Sequence, residues 1–214
     1  MSLAVPLSLL LLLALAALAA GWLLRRRRLA RVVRRGARRL RHPVVLAHGV
    51  LGFDTLEVAG RRHEYFKGIP AQLRALGCDV HVVQLPPLGS VAERAEALAR
   101  AVRSLDAPQV NILAHSMGGL DARYALSRLG LASRVVSLTT LGTPHRGTPL
   151  ADMGTELLGE RLGLRRLAGA LRVGTEAFYA LTTARMAAFN QEVPDARGVV
   201  YASYVAALET RAAT

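Results

Sequence analysis

Residues 110–124 read VNILAHSMGGLDARY. The run from Gln109 to Ala114 is apolar and β-branched enough to predict a strand, and Met117–Leu129 carries a helical pattern that stops at Gly130. Strand and helix meet at His115-Ser116, which leaves room only for a tight turn. Such a turn requires small residues two places before and two places after its centre, and Ala114 and Gly118 are small. In this strand–turn–helix context the central serine is lifted above the sheet edge, with a helix N-terminus favouring the negative charge that develops there. Ser116 is therefore the candidate nucleophile, and Ala114, His115 and Gly118 support the motif. Ala114 stands where glycine is commoner. His115 is expected to point away from the serine.

The same alternation continues on both sides. Val44–Ala47, Cys78–Gln84, Arg134–Leu141 and Gly198–Tyr204 are further predicted strands. Pro70 opens a helix that ends at Gly77. Ser90-Val91-Ala92-Glu93 is a capping box, and the helix behind it places Val91, Ala95, Leu98, Val102 and Leu105 on one face. Strands alternating with helices predict a mostly parallel sheet with helices on both faces, whose ligands bind at the carboxyl ends of the strands. His48-Gly49-Val50 follows the first of these strands. An acyl-transfer site needs two backbone N–H donors for its oxyanion. Met117, next to the serine, would provide one and Val50 the other, with His48 and Gly49 shaping the loop. Leu141–Gly147 (LGTPHRG) lies at the same edge, and His145 there suits a structural hydrogen-bonding role better than a chemical one.

These stretches resemble the bacterial triacylglycerol lipases and lipase-like serine esterases of the α/β-hydrolase fold. PVVLAHGVLGFD (43–54), EYFKGIP (64–70), VNILAHSMGGLDARY (110–124), SLTTLGTPHRGTPLAD (137–152) and FNQEVPD (189–195) occur in family order. The resemblance implies Ser116 as nucleophile and the Val50 and Met117 amides as oxyanion hole. It also implies lid-like helices over an acyl pocket at about 153–188, where Leu157, Leu158, Leu162, Leu164, Leu167 and Leu171 suit either a greasy lid or plain helix packing. Lipid or other carboxylic esters are the implied substrates. An acyltransferase would use the same site with an alcohol acceptor. A serine at the elbow argues against dehalogenase or epoxide hydrolase chemistry.

The triad order in this fold is Ser, then Asp or Glu, then His. The resemblance places the last two beyond a strand like Gly198–Tyr204. After Ser116 the sequence has one histidine, His145, and none from 146 to 214. Asp121, Asp152, Glu156 and Asp195 are carboxylates, and none is nominated as catalytic. Three readings follow: a piece of a longer enzyme, His145 as an unorthodox base, or a non-catalytic lipid- or partner-binding module.

Composition narrows the rest. The chain has 214 residues, 52% hydrophobic and 20% charged, which excludes a disordered polypeptide. Its net charge is +13, but residues 25–41 hold ten Arg and no acid. The remaining 18 basic residues face 15 acids and leave +3, so no nucleic-acid footprint remains. The single cysteine, Cys78, excludes a disulfide framework and reads as a small buried hydrophobe. His48, His63, His81 and His115 are scattered and no glycine-rich phosphate loop occurs, so neither a metal nor a cofactor is expected.

Leu3–Leu24 is 22 residues without a charge, about 33 Å as a helix and enough for a bilayer core. Trp22 stands near its end and Arg25–Arg28 follow. These flanks predict an uncleaved transmembrane anchor over 1–24 with the domain on the cytoplasmic face; a cleaved export signal is the alternative. Residues 25–42 then form a basic juxtamembrane segment, either an amphipathic helix on an anionic leaflet or a spacer, and the hydrolase domain spans 43–214.

Overall fold

The computed structural model describes residues 39–50, 52, 55–58, 61–160 and 179–206. The anchor predicted at Leu3–Leu24, the Arg25–Arg28 collar and the lid leucines Leu162, Leu164, Leu167 and Leu171 lie outside the described residues. Among the described residues no helix is long and apolar enough to cross a membrane.

Seven strands are described: β1 (Val44–Ala47), β2 (Thr55–Val58), β3 (Arg61–Glu64), β4 (Val80–Val83), β5 (Val110–His115), β6 (Val135–Leu141) and β7 (Val200–Tyr204). The helices are α1 (Ile69–Ala75), α2 (Val91–Arg103), α3 (Gly118–Arg128), α4 (Pro149–Glu160) and α5 (Thr183–Glu192). Five strands form one parallel sheet in the order β4-β1-β5-β6-β7. All five predicted strands are present in it. β2 and β3 form a separate antiparallel hairpin that the sequence reading did not contain. TLEV and RRHE are short, and polar side chains break the alternation that would mark them.

β1 lies near the middle of the sheet because it is apolar on both faces, as a central parallel strand must be. Val45 and Ala47 face a core formed with Ala95, Leu98, Ala99 and Val102 of α2 and Ala122, Ala125 and Leu126 of α3. Val44 and Leu46 face a second core with Phe66, Cys78 and Val80. The buried face of α2 is the one its 3.6-residue period predicts, and its capping box is present: Ser90 Oγ accepts from Glu93 N–H at 3.3 Å and Glu93 Oε2 from Ser90 N–H at 2.8 Å. That pairing holds the Glu93 carboxyl below its ordinary range.

Register brings the strand ends into line. Ala47 pairs with Ala114, Ala114 with Thr140, and Thr140 with Ser203. The residues just past this row (the His48 loop, Ser116 and the turn after Leu141) therefore share one edge.

Candidate active site

Ser116 connects β5 to α3 with φ +54°. Among the described residues the only other non-glycine positive φ is that of Lys67. An L-residue in this region costs about 1–2 kcal/mol, so neighbouring structure must impose it. Ser116 N–H donates to Leu141 O at 2.9 Å, and Ser116 O accepts from Gly119 N–H at 3.1 Å and from Thr143 Oγ1 at 2.7 Å. Both backbone ends of the serine are thus tied, leaving its side chain at the edge. Gly118 is required by space: a Cβ there would lie 2.7 Å from both Ala47 O and His48 O. Ala114 is fully buried on β5, paired with β1 and β6 on either side, and its side chain lies in the core cluster with Ala122 and Ala125 of α3.

The loop after β1 closes over the serine. A Cβ on Gly49 would stand 2.8 Å from Ser116 Cβ and 3.2 Å from Ser116 Oγ. The Val50 side chain packs against the cluster containing Met117 and Leu120, so loop and elbow share apolar contacts. Neither the Val50 nor the Met117 N–H has an acceptor among the described residues. His48 is fully buried. Its Nε2 accepts from Leu85 N–H at 3.0 Å, which places the ring proton on Nδ1, 2.9 Å from Gly49 O. His48 is thus part of the loop's scaffold.

Two arrangements stand behind this geometry that sequence reasoning missed. In the first, Arg94 of α2 is fully buried and spends its guanidinium on three acceptors: Asp121 Oδ2 at 2.8 Å, Pro86 O at 2.7 Å and His48 O at 2.6 Å. Burial pushes the Asp121 carboxyl up to about 7 against the opposing pull of Arg94, and Asp121 Oδ1 has no hydrogen-bond partner. The signal was a charged residue on each of two core-facing helix surfaces, since Arg and Asp are almost never fully buried unless paired. In the second, the Tyr65 hydroxyl accepts from Gly49 N–H at 3.1 Å and lies 2.6 Å from His115 Nδ1. His115 was expected to point away; its ring is linked to the site through Tyr65. Partial burial holds it below its ordinary value.

His145 has both ring nitrogens engaged, Nε2 at 3.1 Å from Thr140 Oγ1 and Nδ1 at 3.4 Å from Arg123 Nη1. Burial lowers its basicity first and the Arg123 charge second, with Asp195 opposing. Asn190 Nδ2 donates to its carbonyl at 2.8 Å. It lines a cavity of about 360 Å³ with Arg123, Asn190 and Tyr201, and Ser116 is not among that cavity's lining residues. Asp195 pairs with Arg123 at 3.6 Å, and Asp152 Oδ1 accepts from Thr183 N–H at 2.9 Å. Cys78 is buried in the second core, as expected. A cleft of about 590 Å³ is lined by Val91, Tyr124, Tyr179 and Phe189 together with Arg185 and Glu192, and Ser116 is not among its lining residues; Val91 and Phe189 also pack against the Met117 cluster.

The family described as alpha/beta hydrolase fold matches residues 42–165. Triacylglycerol lipase 2 of Saccharomyces cerevisiae is 37% identical over 150 residues, covering 66% of this chain and 45% of that protein. A triacylglycerol lipase of Vibrio cholerae is 42% identical over 123 residues, covering 55% and 37%. One from Pseudomonas fragi is 31% identical over 178 residues, covering 72% and 58%. The chain spans about half the length of the curated relatives it matches. Among solved structures, lipase BlEst2 of Bacillus licheniformis in mature form is similar with TM-score 0.57 at 25% identity, over 76% of this chain and 64% of that one. The metagenomic carboxyl esterase MGS0156 has the same fold, with TM-score 0.59 at 21% identity over 76% and 48%.

Proposed function

Because the chain belongs to the α/β-hydrolase family and is a lipase-like member of it, we propose that it hydrolyses lipid or other carboxylic esters through an acyl-Ser116 intermediate. The observation that carries this reading is a serine held at φ +54° between a parallel strand and a helix, beside two backbone N–H groups without acceptors among the described residues. In the proposed reaction Ser116 Oγ bonds to the ester carbonyl carbon as its proton leaves to a base. The Val50 and Met117 N–H groups receive the oxyanion. Collapse expels the alcohol, which takes up a proton, and water then releases the acid from Ser116 by the same steps. Each such donor is worth about 10²–10³ in rate. No described residue is assigned as the base, and the engaged ring of His145 argues against it there.

The test is labelling of the full chain with a fluorophosphonate, alongside p-nitrophenyl ester turnover. The expected result is a mass gain on the peptide containing Ser116, and loss of both label and turnover in Ser116→Ala. A folded chain that takes no label and turns over no ester would instead make it a lipid- or partner-binding module, the reading favoured by the engaged His145.

The membrane anchor at Leu3–Leu24 and its Arg collar belong to the same proposal, with the domain on the cytoplasmic face. Their support is the 22-residue uncharged run and its flanks. A cysteine introduced near residue 30 should be shielded from an impermeant thiol reagent in intact cells; modification from outside would reverse the orientation or point to export.

A further inference from the structure

The loop carrying Gly49 and the turn carrying Ser116 come from different strands, β1 and β5, with no covalent tie between them. A site that must hold an N–H group over a serine to within a fraction of an ångström needs something to set that gap. Shared apolar contacts of Val50 and Met117 hold the two together but are not directional.

Among the described residues, one side chain joins Gly49 directly to the residue before Ser116. The Tyr65 ring packs between the rings of His48 and His115, with centroids 5.6 Å from each. Its hydroxyl accepts from Gly49 N–H at 3.1 Å and lies 2.6 Å from His115 Nδ1. An amide N–H can only donate, so it occupies a lone pair of Oη; with His115 in its Nε2–H tautomer the phenolic proton is donated to Nδ1. One hydroxyl thus joins the residue before Val50 to the residue before Ser116. It also lies beside Gly49 on the site's side: a Cβ on Gly49 would stand 3.1 Å from Tyr65 Oη and 3.2 Å from Ser116 Oγ. Phenylalanine would keep the ring packing and lose the link.

We propose that Tyr65 is a positioning residue for acyl transfer at Ser116, its hydroxyl fixing the oxyanion loop against the nucleophile turn through Gly49 N–H and His115 Nδ1. This rests on the reading of Ser116 as nucleophile. Tyr65 acts through the loop, so its removal lowers the rate of acylation without weakening ester binding.

The experiment uses the full chain and four variants. With a p-nitrophenyl ester, Tyr65→Phe should lower kcat about tenfold and leave KM within about twofold, since displacing a donor costs less than deleting it. His115→Leu removes the acceptor and should behave like Tyr65→Phe. His115→Asn keeps an oxygen acceptor near the Nδ1 position and should restore most of the rate. Amide hydrogen exchange at Gly49 is the readout that needs no turnover: it should speed up about tenfold in Tyr65→Phe while the amides of β1 keep their protection. Unchanged kcat and unchanged Gly49 exchange in Tyr65→Phe overturn the inference. So does a loss that the thermal midpoint shares, because Tyr65 would then serve the fold. Wild-type chain that takes no fluorophosphonate at Ser116, with Ser116→Ala as its control, overturns the serine reading; Gly49 exchange then still reports whether the bridge exists.

Discussion

Ser116 is the point where local conformation and proposed chemistry meet. Its positive φ opposes the steric preference of an L-side chain, and the strain is held by bonds to Leu141, Gly119 and Thr143 from three directions. Glycine has no such penalty, although it loses more chain entropy on folding. Ser116→Gly should therefore be more stable than Ser116→Ala by about 0.5–1 kcal/mol in urea unfolding, with both inactive. An alanine variant at least as stable as the glycine variant would mean that the turn carries no strain. The small residues flanking the serine were legible in the sequence because size is a property of each residue alone. The Tyr65 hydroxyl was not legible in this role: Tyr65 lies in EYFKGIP, and its partners Gly49 and His115 are 16 and 50 residues away.

At the scale of elements, α2 presents both kinds of information. Its start and apolar face follow from Ser90, Glu93 and the spacing of Ala95, Leu98 and Val102, all local properties. Its most consequential residue, Arg94, reads in sequence as one more charge. In the fold it is fully buried and bonded to Asp121 of α3 and to the carbonyls of Pro86 and His48. Lysine keeps the charge but not the planar fork, and leaves at least one buried acceptor unmet. Arg94→Lys should cost about 2 kcal/mol of stability, and ester turnover should fall with it, because His48 O anchors the loop before Val50. Arg100 on the same helix pairs with Glu96 at 3.7 Å, both well exposed; Arg100→Lys should change stability by less than about 0.5 kcal/mol. Equal costs for the two would remove the distinction between buried fork and surface pair. The β2–β3 hairpin escaped the sequence reading because its eight residues carry no clean period, and pairing alone defines them.

For the molecule as a whole, the Arg94–Asp121 pair couples stability to pH. The folded state raises the Asp121 carboxyl from 3.8 to about 7, so between those values the folded chain holds a proton that the unfolded chain has released. Stability from this group is complete below about pH 4 and is lost as pH rises through about 7, a change of a few kcal/mol. Asp121→Asn cannot titrate there. The difference in unfolding free energy between wild type and Asp121→Asn should therefore shift against the wild type from pH 4.5 to pH 7.5, and a pH-independent difference would show that Asp121 stays ionised throughout. The order β4-β1-β5-β6-β7 also belongs to this scale. Alternating strands and helices imply parallel pairing, and β1's apolar faces imply a central place, but which strand lies beside which depends on how the helices pack.

Local chemistry was sufficient to determine that these residues form strands and helices in alternation, that α2 begins at Ser90, and that Ser116 stands in a tight turn at a strand end. Each follows from side-chain size, branching, capping or period, which act over a few residues. The remaining features needed the tertiary structure: the φ of Ser116, the two N–H groups left without acceptors beside it among the described residues, the burial of the Arg94–Asp121 pair behind the loop, and the hydroxyl that joins Gly49 to His115. These are distances between residues far apart in the chain, and a sequence pattern specifies which side chains can make such contacts without specifying which of them come within reach.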